Sequence, residues 1–254
     1  MLQQKNELFS IQNKVIVITG AGGDIGSFLG TELTNLSARV YGIDIKFSKN
    51  NEIFKKIYCN ITDQKKFSKI CKKIFSNEGK IDVLINNAGI TLSGKKNEPY
   101  HERNWQKTLD INLTAAFNCS QEVIKYMLKN KSGSIINMTS INAELAFPNN
   151  PAYVSSKGAL KMLGKSLARD WGKFGIRVNN LGPGYIKTKM TLKSYDNYKK
   201  RLSRENQTML SRWGTPSDLL GPCVFLCSDA SKHITSQDIY VDGGWVANGL
   251  PQKI

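Results

Sequence analysis

The stretch Lys14–Gly26, KVIVITGAGGDIG, decides the fold. Lys14–Thr19 (KVIVIT) is a short, continuous β-branched run, the pattern of a strand buried on both faces. It runs straight into glycines, which let the backbone turn tightly and approach a pyrophosphate closely. A helical pattern begins at once at Ile25, and its free N–H groups and positive dipole end point to the same place. A glycine-rich turn alone is a weak motif; a strand before it and a helix after it strengthen the reading.

Outward from this turn, apolar runs alternate with longer helical patterns. Arg39–Ile43, Ile81–Asn86, Ser134–Met138, Ile176–Leu181 and Asp238–Val241 read as further strands. Ile25–Leu36, Gln64–Phe75, Trp105–Leu128, Ala152–Trp171 and Ser217–Leu226 read as helices. This alternation predicts an α/β, doubly wound parallel sheet flanked by helices on both faces. No repeat and no Pro/Gly/Ser linker divides the chain, so residues 1–254 are expected to form a single domain. The polar residues 1–12 read as a short arm rather than a secretory signal.

Composition narrows the function classes. No run of about 18 apolar residues is present, so no membrane span is expected. Five scattered cysteines are the pattern of a reduced, cytoplasmic thiol set. His101 and His233 lie far apart and near no cysteine, which argues against a metal site. The net charge of +16, from 36 basic and 20 acidic residues, is spread along the chain rather than gathered into an arm. It is read as surface charge favouring solubility and non-specific attraction, with no specific nucleic-acid partner.

Asp44 ends the second predicted strand. A carboxylate there accepts hydrogen bonds from both ribose hydroxyls of an adenosine and repels a 2′-phosphate, which favours NAD over NADP; Lys46 softens that preference. A plain turn residue is the competing reading of Asp44. Tyr153 and Lys157 lie four apart on a predicted helix and therefore share a face. A free tyrosine is a poor base near neutral pH, and an adjacent ammonium favours its phenolate. Ser140 follows a strand at its carboxyl end, the edge where open parallel sheets bind ligands.

Together these motifs resemble the short-chain dehydrogenase/reductase family over about residues 12 to 247. The matching residues are Thr19–Gly26, Asn86-Asn87-Ala88-Gly89, Asn112 in Asp-Ile-Asn-Leu, Ser140, Tyr153 and Lys157, Pro183-Gly184 followed by Thr188, and Asp242-Gly243-Gly244. The resemblance implies a Rossmann-like fold and hydride transfer between a nicotinamide and an alcohol or carbonyl carbon. It implies Asn112, Ser140, Tyr153 and Lys157 as catalytic residues, with Asn112 bending its helix and holding a water in a proton relay to the lysine; a buried residue that satisfies backbone groups is the other reading of Asn112. It implies a dinucleotide site from Gly20, Gly23, Asp24, Ile25, Gly26, Asp44, Asn60, Ile61, Asn87, Ala88, Gly89, Tyr153, Lys157, Pro183, Gly184, Ile186 and Thr188. Two positions depart from the pattern. Asp24 replaces the middle glycine, so the pyrophosphate meets a carboxylate unless Asp24 turns away as the helix N-cap. Asn60 replaces an acidic residue near the adenine, where its carbonyl oxygen can still accept from the amino group.

The stretches Ala159–Thr191 and Arg212–Trp245 are similar to gluconate 5-dehydrogenases and related sugar-acid dehydrogenases. A hydroxylated small molecule, a sugar acid or polyol, is the expected substrate. An NADPH-using 3-oxoacyl carrier-protein reductase is the alternative. Residues 188–212 read either as a lid over the site or as an exposed helical pair. Lys187, Lys189, Lys193, Arg201 and Arg204 offer cations in and beside that segment for a carboxylate or phosphate. The resemblance also implies a homotetramer or homodimer, with the partly apolar segment Trp245–Ile254 docked.

Overall fold

The computed structural model describes residues 8–47 and 53–249. Residues 1–7 of the expected arm and 250–254 of the C-terminal segment lie outside the described residues. The strands are β1 (Val15–Thr19), β2 (Arg39–Asp44), β3 (Lys55–Tyr58), β4 (Val83–Asn86), β5 (Gly133–Met138), β6 (Ile176–Pro183) and β7 (Asp238–Val241). The main helices are α1 (Asp24–Asn35), α2 (Gln64–Glu78), α3 (Glu102–Leu109), α4 (Ala115–Asn130) and α5 (Pro151–Trp171). Beyond β6 come the short α6 (Leu192–Tyr195) and α7 (Tyr198–Glu205), then α8 (Leu220–Cys227).

All strand pairs are parallel, and the sheet runs β3-β2-β1-β4-β5-β6-β7. Strand alternation builds the two cores. Val15 and Val17 face a layer containing Phe67, Cys71 and Ile74 of α2 and Val123 and Met127 of α4. Ile16 and Ile18 face the other layer, with Leu29 and Leu33 of α1 and Cys223 and Leu226 of α8. The β-branched run of β1 is thus buried on both sides, as its composition dictates. Among the described residues, no helix is long and apolar enough to cross a membrane.

Two elements differ from the sequence reading. The strand β3, KKIY, was not expected. It is a half-exposed edge strand, and edge strands carry lysines in place of a buried apolar run. The helix expected at Trp105–Leu128 starts at Glu102, and a π-helical segment at Asp110–Thr114 separates α3 from α4. Nothing in the apolar periodicity marks that change of pitch.

Candidate active site

The chain crosses from one side of the sheet to the other between β1 and β4, and a cleft of about 390 Å³ opens there at the strands' carboxyl ends. Every residue expected to hold the dinucleotide lines this cleft, together with Ser140, Tyr153 and Lys157. Asn112 stands behind its wall, fully buried. The reading from sequence left Gly22, Ile90, Met138 and Met190 out of the site, although they also line it, and placed Lys189, another lining residue, only among the candidate cations for the substrate; of the four omitted, only Gly22 carried a signal, as part of the glycine-rich turn.

The turn is shaped by close approach. Gly20 has φ +68°, and a Cβ there would lie 2.6 Å from the Ala88 Cα. A Cβ on Gly22 would lie 1.8 Å from the Lys46 carbonyl oxygen. The Asn87 side chain fastens the turn to β4, donating to the carbonyls of Thr19 and Gly20, each at 3.0 Å. Helix α1 is capped by Gly23, with no side chain closing its first turn. Its N-terminal donors are left for an anion, which fits the phosphates of a dinucleotide.

Asp24 is the first residue of α1, not its cap. Its carboxylate accepts from the Lys189 backbone N–H at 2.5 Å and lies 3.8 Å from the Lys189 ammonium. It is therefore turned toward the 188–212 segment. Asp44 accepts from the N–H of Gly22 at 2.9 Å, of Ile45 at 2.6 Å and of Lys46 at 3.2 Å, so it joins the end of β2 to the turn. Asn60 accepts from the Thr62 N–H at 3.1 Å through the oxygen expected to face the adenine; the second lone pair is still available for that contact.

At the other end of the cleft, α5 carries Tyr153 and Lys157. The Lys157 ammonium donates to the Met138 carbonyl at 2.7 Å and lies 5.6 Å from the Tyr153 ring centroid. Burial lowers Lys157 to about 8. Burial holds the Tyr153 phenol above its ordinary value, outweighing the opposing pull of Ser140. The expected lowering of Tyr153 by Lys157 is absent from this geometry, because the ammonium is directed to a strand carbonyl. Ser140 itself is fixed by Asn142, whose N–H donates to the serine hydroxyl at 3.1 Å.

Asn112 sits in the π-helical segment and spends its side chain on backbone. It donates to the Ile90 carbonyl at 2.9 Å, accepts from the Ile90 N–H at 2.8 Å and donates to the Ser156 hydroxyl at 3.1 Å. Gly89 keeps a space open beside it: a Cβ there would lie 3.4 Å from Asn112 Oδ1 and 3.5 Å from Lys157 Nζ.

The 188–212 segment packs on an aromatic cluster. Tyr185 lies 5.0 Å from Trp213, 5.0 Å from Trp245 and 6.0 Å from Phe147, measured between ring centroids. Tyr195 meets Trp213 edge-on at 5.3 Å.

Comparison with known proteins accords with this geometry. A family model described as enoyl-(acyl carrier protein) reductase matches residues 35–246. The 5-keto-D-gluconate 5-reductase of Escherichia coli K12 is 34% identical over 249 residues, covering 94% of this chain and 98% of its own length. A 3-oxoacyl acyl-carrier-protein reductase of Thermotoga maritima is 32% identical over 246 residues, covering 93% of this chain and 99% of its own. Among solved structures, a gluconate 5-dehydrogenase from Burkholderia cenocepacia J2315, in complex with NADP and tartrate, superposes with a TM-score of 0.87 at 29% identity, over 95% of this chain and 98% of that one. With matches along nearly its whole length, the chain belongs to the short-chain dehydrogenase/reductase family. It is a nicotinamide-dependent oxidoreductase acting on a small molecule.

Proposed function

We propose that this enzyme interconverts an alcohol and a carbonyl on a sugar acid or related polyol, with NAD preferred over NADP. The observation that carries the reading is the meeting of Ser140, Tyr153 and Lys157 at one end of a cleft whose other end is the glycine turn and Asp44. A bound nicotinamide supplies or accepts the hydride. For alcohol oxidation, the Tyr153 phenolate takes the hydroxyl proton as the carbon gives up its hydride and the C=O bond forms. Ser140 holds the substrate oxygen beside that phenol. Lys157 would hold the nicotinamide ribose of a bound cofactor and, turned from the Met138 carbonyl toward the Tyr153 phenol, would favour the phenolate. Asn112 positions the Gly89–Ile90 wall and, through the space beside Gly89, leaves room for a water between itself and Lys157. Carbonyl reduction runs the same steps backwards.

The sugar-acid reading is supported by likeness to the gluconate enzymes; the NAD preference by Asp44, although the Burkholderia relative is described with NADP. Likeness to the Thermotoga reductase keeps a second reading, NADPH-dependent reduction of 3-oxoacyl thioesters. A panel of sugar acids and polyols with NAD, run beside acyl thioesters with NADPH, separates the two. Activity only on the thioesters overturns the first. Tyr153→Phe is expected to lose turnover by more than about 100-fold while NADH binding, followed by fluorescence titration, stays near wild type. Near-normal turnover would remove Tyr153 from the mechanism.

Residues 188–212 serve in this reading as the substrate lid. The chain is also read as a homodimer or homotetramer. Trp105 on α3, Phe117 on α4 and Met162 on α5 are exposed apolar side chains on neighbouring helices. Trp245, at the head of the C-terminal segment, is docked against Tyr185.

A further inference from the structure

A bound dinucleotide brings a doubly charged pyrophosphate to the glycine turn, and the side chains lining that end of the cleft oppose it. Asp24 and Asp44 both line the cleft there. Asp44 spends its charge on the N–H groups of Gly22, Ile45 and Lys46. Asp24 stands in the first turn of α1, where the phosphates are expected and where the family pattern has glycine. The dipole of α1 offsets only about half an elementary charge. A further cation is needed at this end of the cleft.

Lys189 supplies it. Among the described residues, it alone of the cations in and beside the lid segment lines the cleft. The cleft's other cation, Lys157, lies at the reacting end with its ammonium on the Met138 carbonyl. The backbone at Lys189 is fixed from both sides. Its own N–H donates to Asp24. The neighbouring Thr188 N–H donates to the Thr191 hydroxyl at 3.1 Å, and that hydroxyl donates to the Ile186 carbonyl at 2.6 Å. The side chain is not fixed in the same way. It is 83% exposed, and its ammonium stands 3.8 Å from the Asp24 carboxylate, beyond hydrogen-bond distance. So loose and exposed a pair contributes little, and an ammonium on a flexible stem turns toward a stronger anion at small cost.

We propose that Lys189 is a cofactor-binding residue, the counter-charge that the lid segment presents to the pyrophosphate, held at the glycine turn by Asp24 until the dinucleotide binds. The inference rests on dinucleotide binding by this family. It does not depend on the identity of the substrate or on the NAD preference, because NADH and NADPH carry the same pyrophosphate. It takes Lys189 away from the substrate's own anion, and it ties the position of the lid segment to the cofactor.

The test is equilibrium titration of the full-length protein with NADH and with NADPH, followed by their fluorescence; the tighter of the two is then used for the variants. At about 50 mM salt, Lys189→Met should weaken binding roughly three- to tenfold and Lys189→Arg by less than about twofold, since the charge is kept. In about 1 M salt, where a charge is screened within ~3 Å, wild type and Lys189→Met should converge. Asp24→Asn keeps an acceptor for the Lys189 N–H and removes the competing charge, so it should tighten binding by a similar factor. Lys200 on α7 is exposed and does not line the cleft, and Lys200→Met should leave affinity within about twofold. Unchanged affinity in Lys189→Met, a loss that salt does not diminish, or an equal loss in Lys189→Arg or Lys200→Met overturns the proposal. Binding by Asp24→Asn no tighter than wild type overturns it too. So does an effect of Lys189→Met confined to KM of the substrate, which would make this lysine the receiver of the substrate's anion. If wild type binds neither dinucleotide, the cofactor reading fails before any variant is made, and the role of Lys189 fails with it.

Discussion

At Tyr153 and Lys157 burial acts on two groups in opposite senses. It raises the phenol and lowers the ammonium, because in each case the charged form is the one desolvated. Alcohol oxidation needs the phenolate, so its rate should climb as pH rises into the alkaline range, whereas carbonyl reduction, which needs the phenol, should not; parallel pH–rate profiles check this. The lysine has a consequence for stability. Its folded value of about 8 lies below the ordinary 10.5, so between these the unfolded chain binds more protons. The buried ammonium weakens the ligand-free fold fully below about 8, and the penalty lifts as pH rises from there toward 10.5. Lys157→Met should flatten this part of the stability profile. Urea midpoints at about pH 7 and about pH 9.5 measure it, and an unchanged slope would rule the lysine out as its source.

At the scale of elements, two contacts join parts of the chain that the sequence keeps far apart. Asp24 at the start of α1 holds the Lys189 backbone, so the glycine turn and the lid are fastened to each other. Asp24→Ala should release the segment and speed tryptic cleavage within 187–212 several-fold, on the order of the weak stabilisation of an exposed charged contact. Asp24→Asn, which keeps an acceptor, should behave like wild type, and equal cleavage of both variants would reject the latch. Asn112 holds both backbone groups of Ile90 from the π-helical segment. Asn112→Leu leaves those buried groups unpaired and should cost roughly 2–4 kcal/mol in denaturant unfolding.

At the scale of the whole molecule, Phe117 on α4 and Met162 on α5 are exposed apolar residues that do not line the cleft. Phe117→Glu combined with Met162→Glu should place a charge in each copy of the assembly face and yield monomers by sedimentation. A wild type that already sediments as a monomer would refute the assembly. The cleft's cofactor preference is also read at this scale, from the joint position of β2 and the glycine turn. Asp44→Ser should move the NADH:NADPH affinity ratio toward NADPH by roughly tenfold, since it removes the carboxylate that repels a 2′-phosphate.

The doubly wound sheet was legible in KVIVIT and the runs that follow it, because a strand buried on both faces must be apolar at every position. The cleft-lining residues were legible because close backbone approach demands glycine at fixed spacing, and Tyr153 and Lys157 because four residues make one helical turn. The edge strand Lys55–Tyr58 was hidden, since an exposed edge needs no apolar run. The π-helical pitch at Asn112 did not show in the apolar periodicity and was hinted at only by the resemblance, which implied that Asn112 bends its helix; its contacts with Ile90 and Ser156 come from distant parts of the chain. Sequence alone likewise left open whether Asp24 meets a phosphate or turns away as an N-cap, and treated five cations alike. Only the tertiary structure decided that Asp24 turns to Lys189 and that, among the five cations, Lys189 and Arg201 are paired with carboxylates. Local pattern dictates which atoms a segment must bury; which charges are already paired depends on partners that only the fold brings together.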